Sequence, residues 1–309
     1  MHALFIVALI GILLLLEVLG LRMPFSILAG GLAFGVLLIG LPHGGLDQRI
    51  GLRLLDRFPR PFSVSVFFAC YLLVAAVVIA GWVVAPLFTI LAFFCLSAWH
   101  FGLEEETREG LYWVQRLGAV ARGGMVIWIP AYFQGPRVTN LLSLILPTGD
   151  VSIAGQVVGV IQFFAPLLFG LLLLDTILTS GYQRRALSGL NKNSLSLLRI
   201  VAFSILFATV DPLISFGVYF CGWHSVLGLA HLRDQFQFSN AELALNLMPI
   251  SLLAIALFAV GFVVSSSVNL VAPAIVQTLF IGLSAVAVPH LLLHVITDSL
   301  RLSLREVGP

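Results

Sequence analysis

The sequence predicts an all-α protein, a polytopic transmembrane helical bundle of about 8–10 spans. Three observations predict it. Of the 309 residues, 60% are hydrophobic and only 10% are charged, whereas a water-soluble domain carries roughly 25% charged residues. The mean hydropathy is +1.09. The apolar residues come in runs of about 20, the length that crosses a hydrocarbon core as a helix, with short polar breaks between them. The net charge is only +2 and no basic patch is interleaved with aromatics, which excludes nucleic acid as a partner. Cys70, Cys95 and Cys221 lie in apolar runs and are odd in number, so they read as small buried hydrophobes and not as a disulfide framework.

The spans follow in order. Ala3–Leu21 lacks a basic leader and a small-residue cleavage site before Arg22, so it reads as an inserted first helix. After the Arg22–Pro24 break the second span covers Phe25–Leu41, and Gly44–Pro61 is a polar loop. Phe62–Val84 is the third span, stopped by Pro86, and Leu87–Phe101 is a shorter fourth. Beyond the polar Glu104–Gly110, Tyr112–Tyr132 forms a fifth span. It carries Arg116 and Arg122, which in lipid must face water, a carboxylate or a headgroup. Gln134–Val151 reads mostly as loop, with room for a short interfacial helix at Leu141–Leu146. Ile153–Leu178 is the sixth span, followed by a polar loop at Gly181–Ser194. Asp211–Pro212 divides the seventh span, Leu195–Ile214, from the eighth, Phe216–Leu232. Leu243–Val264 and Val271–Ile296 complete the set. No repeat or composition shift divides the chain, so one membrane domain over 1–309 is expected.

Loops rich in Arg and Lys face the cytoplasm. Arg49, Arg53, Arg57 and Arg60 fall in one loop, Arg184, Arg185, Lys192 and Arg199 in another, and Arg301 and Arg305 in the tail. The alternation predicts a multi-pass plasma (inner) membrane protein with both termini cytoplasmic.

Six of the seven histidines lie in apolar sequence: His43, His100, His224, His231, His290 and His294. Imidazole in a bilayer is costly and usually functional, and it is the commonest side-chain ligand of zinc, copper and iron. On the predicted topology all but His224 fall near the cytoplasmic ends of even-numbered spans, and His224 lies about 10 Å deeper than His231 on a regular helix. His290-Leu-Leu-Leu-His294 places two rings on one helical face. Asp298 is four residues further and placed to orient His294. In Leu41-Pro-His-Gly-Gly-Leu-Asp47 the proline and glycines permit irregular backbone, and Asp47 is placed either to accept a ring N–H from His43 or to cap the next helix. Glu104 reads as a supporting group near His100 or as part of a solvated loop. Trp99, Phe101, Tyr219, Phe220 and Trp223 are candidates to line a pocket for a planar apolar substrate. His2, at the chain start, is expected to be idle.

Pro42-His43-Gly44 with Asp47, Ser97-Ala98-Trp99-His100-Phe101-Gly102, Tyr219-Phe220 with His224-Ser225, His231-Leu232 and Pro289-His290 occur in this order between Leu41 and His294. Together they resemble the Brp/Blh family of integral-membrane β-carotene dioxygenases. The resemblance implies cleavage of β-carotene by dioxygen at the central 15,15′ double bond, giving two molecules of retinal. It implies histidine-held ferrous iron, Fe(2+), as cofactor and a substrate drawn from membrane lipid, with a microbial rhodopsin as a candidate recipient of the retinal. By match, His43, His100 and His224 would be iron ligands. The family pattern His-Ser-x-x-His-Leu is altered here. Gly228 stands four residues after His224, and His-Leu comes at His231-Leu232. The fourth ligand is therefore sought among His231, His290 and His294.

Two other classes compete. A two-metal membrane oxidoreductase, such as a desaturase or hydroxylase, would use six histidines in two groups, which a metal count distinguishes. A metal transporter would place polar groups at the midplane on a path to both faces. The one-sided histidines, with only Glu17 and Asp175 as carboxylates within spans, argue against it.

Overall fold

The computed structural model describes residues 2–55, 58–104, 113–185 and 190–306, with side chains described for these except 103–104, 113–115, 178–185, 190–196 and 298–306. Among the described residues the regular secondary structure is all helix, with no strand. Six stretches are long and apolar enough to cross a membrane: Phe25–Leu54, Arg60–Val84, Val151–Ile177, Pro212–Phe236, Asn240–Ser266 and Val271–Thr297. Three shorter apolar helices, His2–Val18, Pro86–Gly102 and Leu197–Thr209, accompany them. Their outward faces are crowded with exposed Leu, Ile, Val and Phe, as a lipid-facing surface requires.

Helix α1 (His2–Val18) ends before the Arg22–Pro24 break, where α2 (Phe25–Gly35) begins behind Pro24. The second span then departs from α geometry, passing through a π-helical turn at Val36–Gly40 and a 3-10 turn at Leu41–Gly44. Pro42 supplies the physical reason, since it has no N–H for the ladder. The segment expected to be loop after Gly44 instead holds a short amphipathic helix, α3 (Asp47–Leu54). Arg49 and Arg53 lie over the rings of Phe238 and Phe236, and Leu46 packs with Leu232 and Leu247 in a small second core. α4 (Arg60–Val84) and α5 (Pro86–Glu104) match the third and fourth expected spans.

The fifth expected span comprises α6 (Trp113–Gly123) and α7 (Met125–Phe133). α6 lies against α5 at glycine contacts. A Cβ on Gly102 would sit 2.1 Å from the Ala119 carbonyl oxygen, and one on Gly123 would sit 2.2 Å from the Gly102 nitrogen. Small residues let membrane helices approach this closely. The helix allowed at Leu141–Leu146 begins earlier than expected, and most of the expected loop is helical: α8 covers Gly135–Ile145, with Val138, Leu142 and Ile145 buried at helical spacing. α9 (Val151–Arg185) carries Asp175, whose carboxylate meets the Arg122 guanidinium at 3.6 Å with both side chains almost buried. That is the carboxylate expected for an arginine within a span.

α10 (Leu190–Thr209) and α11 (Pro212–Gly217) are separated at Asp211–Pro212, and the Asp211 side chain caps α11 by accepting from the Leu213 N–H. A second π-helical segment, Val218–His224, leads into α12 (Ser225–Phe236). α13 (Asn240–Ser266) starts with a capping box, Ser239 with Glu242, and α14 (Val271–Glu306) closes the bundle against α4, α2 and α13.

Candidate metal centre

Four imidazoles from four elements converge inside this bundle. His43 comes from the 3-10 turn, His100 from α5, His224 from the end of the second π segment and His290 from α14. Their ring centroids form a closed circuit: His43 to His224 5.2 Å, His224 to His100 5.3 Å, His100 to His290 5.5 Å and His290 to His43 5.4 Å. A metal–imidazole bond of about 2.1 Å sets a ring centroid about 3.2 Å from the ion, so rings meeting at about 90–120° lie roughly 4.5–5.5 Å apart. The observed sides sit at the wide end of that interval. All-nitrogen donors of this kind suit iron, zinc or copper, so the residues fit a single transition-metal ion.

Local backbone explains how the rings arrive. His43 follows the first π-helical turn and His224 closes the second, and such turns recur at functional sites. The Gly40 carbonyl accepts a short hydrogen bond from Nδ1 of His43. A carbonyl can only accept, so Nδ1 carries the proton and Nε2 keeps its lone pair for a metal. Gly40 also leaves space for Phe220, since a Cβ there would lie 2.7 Å from Phe220 Cε1. Phe220 stacks on His224 at 5.7 Å and meets His43 edge-on at 5.9 Å. Phe101 closes the other side of His224, at 4.5 Å.

Asp47 departs from one sequence expectation. Its carboxylate accepts from Nδ1 of His290, at 2.8 and 2.9 Å to its two oxygens, and not from His43. The 3-10 turn points the His43 Nδ1 inward to Gly40, while Asp47, at the start of α3, faces α14. Both Asp47 and His290 are buried. A carboxylate behind a ligand histidine fixes the tautomer and raises the basicity of Nε2. Tyr71 was absent from the sequence reading. Its hydroxyl lies 3.1 Å from Asp47 Oδ2 and 3.0 Å from the Val286 carbonyl oxygen. A tyrosine deep in an apolar span must find a polar partner for its hydroxyl, and that was the available signal.

Of the other expected ligands, His294 stays beside the circuit and His231 leaves it. His294 is half-buried one turn beyond His290, with ring centroids 4.5 Å from His290 and 6.2 Å from His100. Ligand atoms of Asp47, His290 and His294 all lie within 4.8 Å of one another, so His294 stands next to the circuit on the His290 side. His231 is exposed on α12 and takes no part in the ring contacts that join the other five. Seven α-helical residues carry it away from His224, and no distortion at Gly228 returns it, because the π segment ends at His224. The side chains of Glu104 and Asp298 lie outside the described residues.

A cavity of about 850 Å³ opens beside the four rings. It is lined along α14 from Gln277 to Leu291, a rise of about 21 Å, and by apolar residues of α4, α5 and α13. Phe101 and Phe220 line it, whereas Trp99, Tyr219 and Trp223 do not. Trp99 is partly exposed at 37%, and Tyr219 packs on Phe203 and Phe207. Trp223 is held between the stacked ring of His2 at 5.4 Å and the Arg199 guanidinium at 4.7 Å. His2 thus has a structural contact that its terminal position does not suggest.

A family model described as β-carotene 15,15′-dioxygenase matches residues 34–298. A curated protein of that description, from uncultured marine bacterium 66A03, is 28% identical over 266 residues, covering 84% of this chain and 90% of that protein. No solved structure matches the chain.

Proposed function

The chain belongs to the β-carotene 15,15′-dioxygenase family, and from that membership we propose that it splits the central double bond of β-carotene with dioxygen into two molecules of all-trans-retinal. The observation that carries this reading is the four-imidazole circuit set against a long apolar cavity. A polyene that lives in lipid would enter such a cavity laterally and bring its middle to the rings. The atoms balance without a further reductant. The C15=C15′ bond breaks, two C=O bonds form, and both oxygen atoms stay in the two aldehydes.

His43, His100, His224 and His290 would hold Fe(2+), whose contribution when bound is the activation of dioxygen. The protein's share is orientation and exclusion. The Gly40 carbonyl and Asp47 hold protons at Nδ1 of His43 and His290, so each Nε2 keeps its lone pair for the ion. Phe101 and Phe220 wall the rings and keep bulk water from the reacting bond. On this reading the arginine-rich loops face the cytoplasm, the centre lies toward that side of the plasma membrane, and the retinal released there would pass to a membrane acceptor such as a microbial rhodopsin.

The test is to load the purified protein with ferrous iron anaerobically, add β-carotene and then dioxygen, and measure all three compounds. The proposal expects two retinal formed per β-carotene and per dioxygen consumed. Unchanged β-carotene over folded, iron-loaded protein rejects it.

A further inference from the structure

We infer that Tyr71 is a positioning residue for the metal centre, its single hydroxyl proton shared between two acceptors that flank His290. The inference rests on the reading of the four-imidazole circuit as a metal site. The first acceptor is Asp47, whose Oδ2 lies 3.1 Å from the Tyr71 hydroxyl and 2.9 Å from His290 Nδ1. The carboxylate is therefore held from the α4 side while it holds the imidazole on the α14 side. The second acceptor is the Val286 carbonyl, at 3.0 Å. In a regular helix this is the carbonyl to which the backbone N–H of His290 points, four residues on. One hydroxyl thus reaches both the partner of the His290 ring and the turn that carries its backbone.

That turn has a particular need of support. Pro289 stands inside α14 immediately before the ligand. It provides no N–H, and its ring crowds the carbonyl four residues earlier, so the helix is weakest where His290 must be aimed. Tyr71 ties this turn to α4, against which α14 is packed. A ring orientation fixed from outside the first layer of ligands is worth about 10–100-fold in metal affinity. Tyr71 also lines the cavity, so its ring borders the space where the substrate would lie while its hydroxyl supports the centre.

The experiment measures Co(II) affinity and the visible ligand-field spectrum of the full chain in detergent, for the wild type, Tyr71→Phe, Asp47→Asn and the double variant. Tyr71→Phe is expected to weaken Co(II) binding about tenfold and to shift the spectrum. The double variant is expected to fall well short of the product of the single losses, because Tyr71 works through Asp47. Wild-type affinity and spectrum in Tyr71→Phe, or fully multiplicative losses, overturn the inference. A purely structural role would lower the melting temperature of the metal-free protein and leave the spectrum unmoved. Should Tyr71→Phe fail to fold, 2,3-difluorotyrosine at position 71 keeps the hydroxyl and the packing and alters donor strength alone. An unchanged spectrum there overturns the inference equally. Failure of the underlying reading looks different: His43→Ala and His100→Ala would then bind Co(II) as the wild type does.

Discussion

Replacing Gly102 by alanine offers a severe test of how the centre is assembled. The added methyl would sit 2.1 Å from the Ala119 carbonyl oxygen and 2.5 Å from its carbon, and 3.0 Å from the Val120 nitrogen. All three are backbone atoms of α6, so no side chain can swing aside. Ordinary contact begins at 3.4 Å, so α5 and α6 must part by about 1.3 Å (3.4 − 2.1). His100 lies two residues before Gly102 on the same helix and moves with it. Its separations of 5.3 Å from His224 and 5.5 Å from His290 already lie at the wide end of what one ion accommodates, so a displacement of about 1 Å carries the ring out of bonding range. Overpacking of this kind also costs about 1–3 kcal/mol of stability. Metal affinity and the thermal midpoint of Gly102→Ala, measured side by side in detergent, should show at least a tenfold weaker site and a less stable fold. A variant that keeps wild-type affinity would show that the α5–α6 contact does not position His100.

Further outcomes follow from the same geometry. Alanine at His43, His100, His224 or His290 should each abolish stoichiometric iron, whereas His231→Ala should retain it. Elemental analysis of the purified variants decides, and loss of iron in His231→Ala would return that exposed residue to the centre. Ala254→Trp fills part of the cavity that Ala254 lines and changes none of the four histidines, so cleavage of β-carotene should fall while iron content stays at the wild-type level. Ser239→Ala removes one half of the α13 capping box and should cost about 1 kcal/mol in thermal or denaturant unfolding, with no effect on iron.

The helical class and most boundaries were legible because hydropathy and proline control them. The Arg22–Pro24 break, Pro86 and Asp211–Pro212 all end or divide helices where the chain says they should. α3, and all of α8 before Leu141, are not legible as helix for a physical reason. Both are amphipathic and short, so neither makes an apolar run, and their burial comes from packing of α3 on α4 and α14 and of α8 on α9 and α14. The histidines were legible as a group because imidazole is out of place in lipid. Their division was not. Whether a ring turns inward depends on the π-helical turns at Val36–Gly40 and Val218–His224, and hydrophobic periodicity carries no mark of the one-residue slip that makes a π-helix. The same limit governs Asp47. Its nearness to His43 in sequence suggested that pairing, yet its partner is His290, 243 residues away and brought by the packing of α14. Tyr71 escaped notice because a tyrosine among Phe67, Phe68 and Leu72 resembles any packed aromatic until its hydroxyl is followed to its acceptors.

X-ray absorption at the iron edge of the ferrous-loaded protein tests the central claim most directly. One iron per chain, with about four nitrogen neighbours at about 2.1 Å and the outer-shell scattering of imidazole rings, is the predicted result. A first shell built from sulfur or from oxygens alone, or iron held without imidazole, would contradict a centre made by His43, His100, His224 and His290.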